Sequence, residues 1–411
     1  MIQRVAFLSF HTCPVQAPGF GDAGGMNVYV NEVAKAIARR GIEVVVFTRR
    51  TGHDPEVVDV RPGYRVVHVT AGPQEPLPLR RLPELIGDFT DETLRWIDAT
   101  GLGFDVLHSH YWLSGWAGVI LKERLELPLA NSFHTLGRIK DLNRRPGEPG
   151  SGVLRTMAEQ EVIARSDCVI ASTPAEYDDL LEHYDARPER LCTSPPGIDH
   201  VMFRPGDRHA ARVWTGLHDY LVDDPVVLFV GRIQPLKGVD VAITACAAIP
   251  DTATARPPHL VVVGGPSGPH GDAELARLRE LAVARGIGGR VHFLPPQPHD
   301  QLARFYQAAD VLVMPSHSES FGLVAAEAQA CGLPVVAAAV GGLRFVVEDG
   351  RSGFLVDGHQ PAAYTEAITR VLEDDNLATK LGRGGIEFTD RFSWETTASH
   401  LVDLYQGITG R

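Results

Sequence analysis

The strongest constraint on this chain is a set of short apolar runs, each followed by a loop and a helical pattern. Residues 5–10 form the first run, residues 19–25 a glycine-rich loop, residues 27–40 a helical pattern and residues 44–48 a second run. A strand apolar on both faces belongs inside a parallel sheet covered by helices on each side. Similar runs recur at residues 64–70, 106–108, 129–133 and 168–172. After a polar stretch the pattern resumes, with strands expected at 226–230, 260–263, 291–294, 311–314 and 334–338. Helices are expected at 238–249, 272–285 and 319–330. The expected class is therefore α/β, with doubly wound sheets.

A length of 411 residues suits two or three domains at roughly 100–200 residues each. The expected boundary follows Pro195, Pro196 and Gly197, within the polar stretch 200–216 that reads as a linker. Domains are expected at 1–200 and 201–392, with an amphipathic terminal helix, 393–411, returning to the first. The net charge of −12 argues against broad attraction to nucleic acid or an anionic membrane. No apolar stretch approaches the roughly 20 residues that span a bilayer, and MIQRVAFLSF is too short and mixed for a secretory leader. Five scattered cysteines without a CxxC pair indicate neither a zinc site nor a disulfide framework. A cytoplasmic location and no metal are expected.

Four segments could carry chemistry. Residues 19–27, Gly-Phe-Gly-Asp-Ala-Gly-Gly-Met-Asn, lie between a strand and a helix. Their glycines allow close backbone approach to an anion, or simply a sharp turn. Residues 231–238, Gly-Arg-Ile-Gln-Pro-Leu-Lys-Gly, follow the first strand of the second half. Arg232 and Lys237 either grip a diphosphate at a strand's carboxyl end or are two solvated cations. Residues 318–328 carry Glu319 at an expected helix start and Glu327 eight residues later. On one continuous helix the two would point within about 80° of each other. Glu327 sits among apolar residues, so its charge needs a partner such as ligand hydroxyls; otherwise Glu319 is a cap and Glu327 a surface residue. Finally, His11, His110 and His134 stand at the ends of expected strands, on one rim of the sheet. The pair His108 and His110 leaves a metal reading open, but no Cys or carboxylate partner for it is evident.

Ser-Glu-Ser-Phe-Gly-Leu-Val-Ala-Ala-Glu-Ala resembles the Glu-x7-Glu motif of retaining glycosyltransferases of the GT-B fold, two Rossmann-like domains facing across a cleft. Gly-Arg-Ile-Gln-Pro-Leu-Lys-Gly is similar to their phosphate-contacting segment. The stretch from His11 to Tyr29, His-Ser-His-Tyr-Trp-Leu-Ser-Gly and Gly-Gly-Pro-Ser-Gly-Pro are most similar to the mycothiol-pathway branch. That branch transfers N-acetylglucosamine from a UDP donor to inositol 3-phosphate.

The resemblance implies roles. Arg232, Lys237, His134 and Glu319 would be catalytic. Gly24, Gly25, Ser320, Phe321, Gly322, Leu323 and Glu327 would complete the donor site, with Glu327 on the ribose and Glu319 on the donor sugar. His11, Asp22, Met26, Asn27, Tyr111, Thr135 and Arg155 would meet the acceptor. No cofactor is implied beyond a UDP- or GDP-linked sugar as donor substrate. Partners would be a small-molecule donor and acceptor, with a homodimer open and no integral membrane association.

Two positions depart from the branch. Leu79 stands where a phosphate-holding lysine is expected, leaving Arg80 or Arg81 to replace it or the acceptor without that phosphate. Gln297 stands where an arginine often lies near the base. These motivate one alternative: a paralogue in specialised metabolism with another donor and acceptor, even a thiol such as ergothioneine. A second alternative is a non-catalytic sugar-nucleotide binder, against which the intact Glu319, Glu327, Arg232, Lys237 and His134 argue.

Overall fold

The computed structural model describes residues 1–19, 23–145, 148–219, 221, 223–250, 253–268 and 271–410. Two sheets carry the architecture. The first contains β1 (Arg4–Leu8), β2 (Glu43–Arg49), β3 (Val57–Arg61), β4 (Tyr64–Val69), β5 (Val106–His110), β6 (Leu129–Ser132), β7 (Cys168–Ala171) and β8 (Leu191–Thr193). Their spatial order is β3-β4-β2-β1-β5-β6-β7-β8. Pairing is parallel except at the β3 edge, which runs antiparallel to β4. The second sheet contains β9 (Val226–Val230), β10 (His259–Val263), β11 (Val291–Leu294), β12 (Val311–Met314), β13 (Val335–Ala338) and β14 (Gly353–Val356). It is ordered β11-β10-β9-β12-β13-β14, and each of its pairs is parallel. Two doubly wound α/β sheets are thereby established.

Both sheets reverse their winding direction once, between β1 and β5 in the first and between β9 and β12 in the second. Such switch points open a crevice at the carboxyl ends of the strands, where ligands of this architecture bind. Both crevices line one cavity between the two domains.

Burial explains the strands. Every residue of β9, β12 and β13 is buried, as are all but the first of β1 and β2. β3, β8 and β14 were not among the expected strands. The first alternates half-exposed residues at an edge, and the second has three residues, too few for a period to register.

The stretch 200–216 is not an open linker. It contains the helix Arg208–Trp214, whose Arg212 is 3% exposed. The Arg212 guanidinium donates to the Ala308 and Leu221 carbonyls and to Asp310 Oδ2, at 3.0, 3.0 and 2.9 Å. A polar composition here satisfies a buried cation rather than solvating a tether.

The chain passes between the sheets at Gly197. A Cβ there would lie 2.2 Å from the Trp394 nitrogen, and Ile198 bridges to Ser393. The helix Trp394–Thr409 lies on the helix Gly25–Arg39. Leu401, Val402 and Tyr405 share a core with Val30, Val33 and Ile37, and the Tyr405 hydroxyl lies 2.6 Å from His108 Nδ1.

Candidate active site

The cavity between the sheets has a volume of about 680 Å³. The first domain contributes the loop before Gly25–Arg39 and the ends of β5 and β6. The second contributes the segments after β9 and β12.

The glycine loop serves as a wall. A Cβ on Gly24 would lie 3.7 Å from Arg232 Nε, and one on Gly25 would lie 3.5 Å from Leu323 Cδ1. Backbone of one domain thus comes within reach of a guanidinium and an apolar side chain of the other. Met26 also lines the cavity. Asn27 does not: its Oδ1 accepts from the Gly24 amide at 3.0 Å, and its Nδ2 donates to Thr12 Oγ1 and the Cys13 carbonyl at 2.8 and 2.7 Å. Its amide ties the loop to the helix start. Asp22 lies outside the described residues.

Glu319 does not begin a helix. Residues 315–322 form a loop, and the helix Leu323–Ala330 starts after Gly322, whose φ is +103°. Helical periodicity therefore does not relate Glu319 to Glu327. The loop is held by a glycine pair at the end of β13. Gly342 donates its amide to the Glu319 carbonyl at 2.8 Å, and a Cβ on Gly341, at φ +43°, would lie 2.3 Å from that same oxygen. This backing brings the Glu319 carboxylate to Lys237, with Oε2 2.6 Å from Nζ. Ser320, Phe321, Gly322 and Leu323 line the cavity beside it.

Glu327 is 3% exposed on its helix. Its partners are protein groups: His299 Nε2 at 2.6 Å and the Tyr306 hydroxyl at 2.9 Å. Burial opposes charge on His299, but Glu327 overrides it, so the imidazole pKa is raised. His299 was not singled out in the sequence. Its position past the end of β11 is the same signal that marked the first-domain histidines. Gln297 also lines the cavity, its Nε2 donating to the Pro295 carbonyl at 2.9 Å.

On the facing wall, His11 and His134 line the cavity, whereas His108 and His110 are fully buried beneath it. His110 Nδ1 lies 3.1 Å from His134 Nε2. Burial pushes the His134 imidazole down to about 3, so it is neutral at ordinary pH. Tyr111 and His134 both hold positive φ, +78° and +61°. Backbone strain of this kind gathers at functional sites. Ser320 Oγ donates to the His134 carbonyl, joining the two walls.

Arg155 is held by a buried carboxylate. Glu159 is fully buried and accepts from Arg155 Nε at 2.7 Å, from the Gly137 amide at 3.0 Å and from the Tyr184 hydroxyl at 2.5 Å. Arg155 Nη2 donates to the Thr135 carbonyl and hydroxyl at 2.9 and 3.1 Å, and the guanidinium carbon lies 5.1 Å from the centre of the Tyr111 ring. Nη1 has no hydrogen-bond partner among the described residues. Arg155, Thr135, Tyr111 and His11 therefore meet as one polar corner. Leu79 lies on the same cavity, but Arg80 and Arg81 do not line it, and Arg81 pairs with Glu84 at 3.2 Å. Lys140, on the short helix Gly137–Leu142, does line it, with Asn143 just beyond. Among the described residues, no cluster of three or more His, Cys, Asp or Glu side chains is placed to hold a metal ion.

Comparison with known proteins agrees with this geometry. Residues 219–388 match the family model described as Glycosyl transferases group 1, and residues 24–197 match the Glycosyl transferase 4-like domain. The chain is 46% identical to a D-inositol 3-phosphate glycosyltransferase of Acidothermus cellulolyticus, over 98% of this chain and 90% of that one. It superposes on the sucrose-phosphate synthase of Thermosynechococcus elongatus with a TM-score of 0.91 at 34% identity, covering 99% of each chain. Anabaena HepE, solved in complex with UDP and glucose, superposes with a TM-score of 0.77 at 20% identity, covering 98% of this chain and 100% of that one. With its two switch-point crevices, its Glu-x7-Glu segment and full-length identity of this order, the chain belongs to the GT-B glycosyltransferases, in the family of the D-inositol 3-phosphate glycosyltransferases.

Proposed function

We propose that this glycosyltransferase moves a sugar from a nucleoside-diphosphate donor to a small phosphorylated polyol, with retention at the anomeric carbon. The carrying observation is that cations from both domains line one cavity: Arg232 and Lys237 on the second, Arg155 and Lys140 on the first. The first pair suits a diphosphate that gains charge as it leaves. The second suits an acceptor phosphate, with Lys140 supplying the positive charge that Leu79 lacks. The names of the relatives, and UDP with glucose in Anabaena HepE, support the same division.

In this reading Glu327, steadied by His299 and Tyr306, accepts from the donor's ribose hydroxyls, and Glu319 accepts from the sugar. Neutral His134 lies beside the reacting carbon. The leaving phosphate oxygen takes the acceptor's proton on the face from which it departs, so no protein nucleophile is needed. Closing the two domains keeps water from the donor.

The test is a donor and acceptor panel read by mass spectrometry: UDP- and GDP-sugars against inositol 3-phosphate, inositol and a thiol. Proton NMR of the product gives the anomeric configuration. Transfer from UDP-N-acetylglucosamine to inositol 3-phosphate with the α configuration kept is expected. Preference for unphosphorylated inositol or the thiol would overturn the acceptor assignment.

A further inference from the structure

Lys237 and Glu319 are each other's partners. Nζ and Oε2 stand 2.6 Å apart, with the two side chains 22% and 19% exposed. Resting on the function proposed above, this contact has a consequence. A diphosphate that reaches Lys237 competes with the Glu319 carboxylate for the ammonium charge. That carboxylate cannot withdraw with its backbone, because Gly342 donates to the Glu319 carbonyl at 2.8 Å and Gly341 packs against the same atom.

What happens to the carboxylate depends on the ligand. A nucleotide-sugar brings hydroxyl donors to replace the lost ammonium. A free nucleoside diphosphate brings none. It also carries an ionised terminal phosphate, with more negative charge than the sugar-bearing diester, and sets it near an unpaired carboxylate. An anion left without its partner in a partly desolvated site is costly.

We propose that Glu319 is a specificity-determining residue that makes the site favour the sugar-bearing diphosphate over the free one, and so helps expel the nucleoside diphosphate after transfer. Sugar transfer removes the hydroxyl donors and adds negative charge in one step. Glu319 then competes with the product for Lys237.

Calorimetric titration tests this with UDP and UDP-N-acetylglucosamine, and with GDP and GDP-mannose, on the intact chain and on Glu319→Gln and Glu319→Ala. The alanine variant removes the competing charge without offering the phosphate a new amide donor. Thermal melting without nucleotide establishes that both variants are folded. Both should bind the free nucleoside diphosphate about tenfold more tightly than the unaltered chain, the scale of one charge-assisted hydrogen bond, while the nucleotide-sugar gains nothing. Product inhibition should deepen in parallel wherever turnover remains measurable. Affinity for the free diphosphate that stays level or falls in both variants would overturn the proposal. Tightening in the glutamine variant alone would also overturn it, since a new donor rather than relief of competition would be the cause. If the unaltered chain binds none of the four nucleotides, the function proposed above fails first, and the inference fails with it.

Discussion

Lys237 is the residue on which the donor chemistry turns. Replacing it with alanine removes a cation from the charge that builds on the leaving diphosphate and leaves Glu319 without its 2.6 Å partner. Turnover should fall on the order of 100- to 1,000-fold, measured as steady-state kcat with saturating donor. A near-normal kcat would remove Lys237 from the mechanism. Lys140 is the corresponding residue for the acceptor. Lys140→Ala should raise the acceptor KM about tenfold, leaving donor affinity unchanged. An unchanged KM for a phosphorylated acceptor would exclude Lys140 from the phosphate corner. Arg155 is a poorer probe of binding alone, because its loss strands the fully buried Glu159 carboxylate and would weaken the fold by roughly 3–5 kcal/mol.

Among elements, the loop 315–322 matters most, because it is neither helix nor strand yet carries Glu319 and Ser320. Its shape is imposed by Gly341 and Gly342, which come after β13 and about twenty residues later in the chain. Gly341→Ala would place a Cβ 2.3 Å from the Glu319 carbonyl at a φ of +43°, so the loop must shift. A displacement near 1 Å at a reacting centre can cost about 100-fold, so kcat should fall at least tenfold while the protein still folds. Full activity in that variant would show that the loop's position is not what the glycine protects. The expected helix start at Glu319 shows why local reading failed here. Glu319 stands one turn before the helix-forming run Leu-Val-Ala-Ala-Glu-Ala, but Gly322 takes the left-handed region, and the glycines that fix the loop lie beyond the next strand.

Across the whole molecule, two features set behaviour. The first is cross-cleft contact. Arg145, on the first domain, forms a two-pronged pair with Asp240 at the start of the helix Val239–Ala247, at 2.9 and 2.7 Å. Arg145→Ala should loosen the apposition of the domains, seen as a larger radius of gyration in small-angle scattering. No change would mean that the remaining contacts, including Ser320 to His134, suffice. The second is buried imidazole. His108 and His110 are fully buried, and burial holds both below the ordinary value of 6.5, His108 at about 3. In the unfolded chain they take up protons below about 6.5. The unfolded state then binds protons the fold refuses, so stability should decline as pH falls from 6.5 towards 3, by up to roughly 1.4 kcal/mol per pH unit for each histidine. Melting temperatures at pH 7 and pH 5 check this, and equal values would contradict it.

Fold class was already written in the local pattern. Runs such as residues 226–230 and 311–314 are apolar on both faces, and only a covered parallel sheet can bury them so. Strand ends likewise marked His11, His134, Arg232 and Lys237, because the parallel architecture brings all carboxyl ends to one rim. Tertiary structure alone decided how those groups are paired. Lys237 meets Glu319 across 82 residues and His299 meets Glu327 across 28. The Thr135–Arg155–Glu159 corner closes only when the segment after β6 is brought beside the helix Val153–Arg165. Asn27 turned from the cleft because three polar groups of its own loop claimed its amide. A one-dimensional pattern records which side of an element is buried. It does not record which charge stands opposite, since that depends on how the two sheets face each other once both are packed.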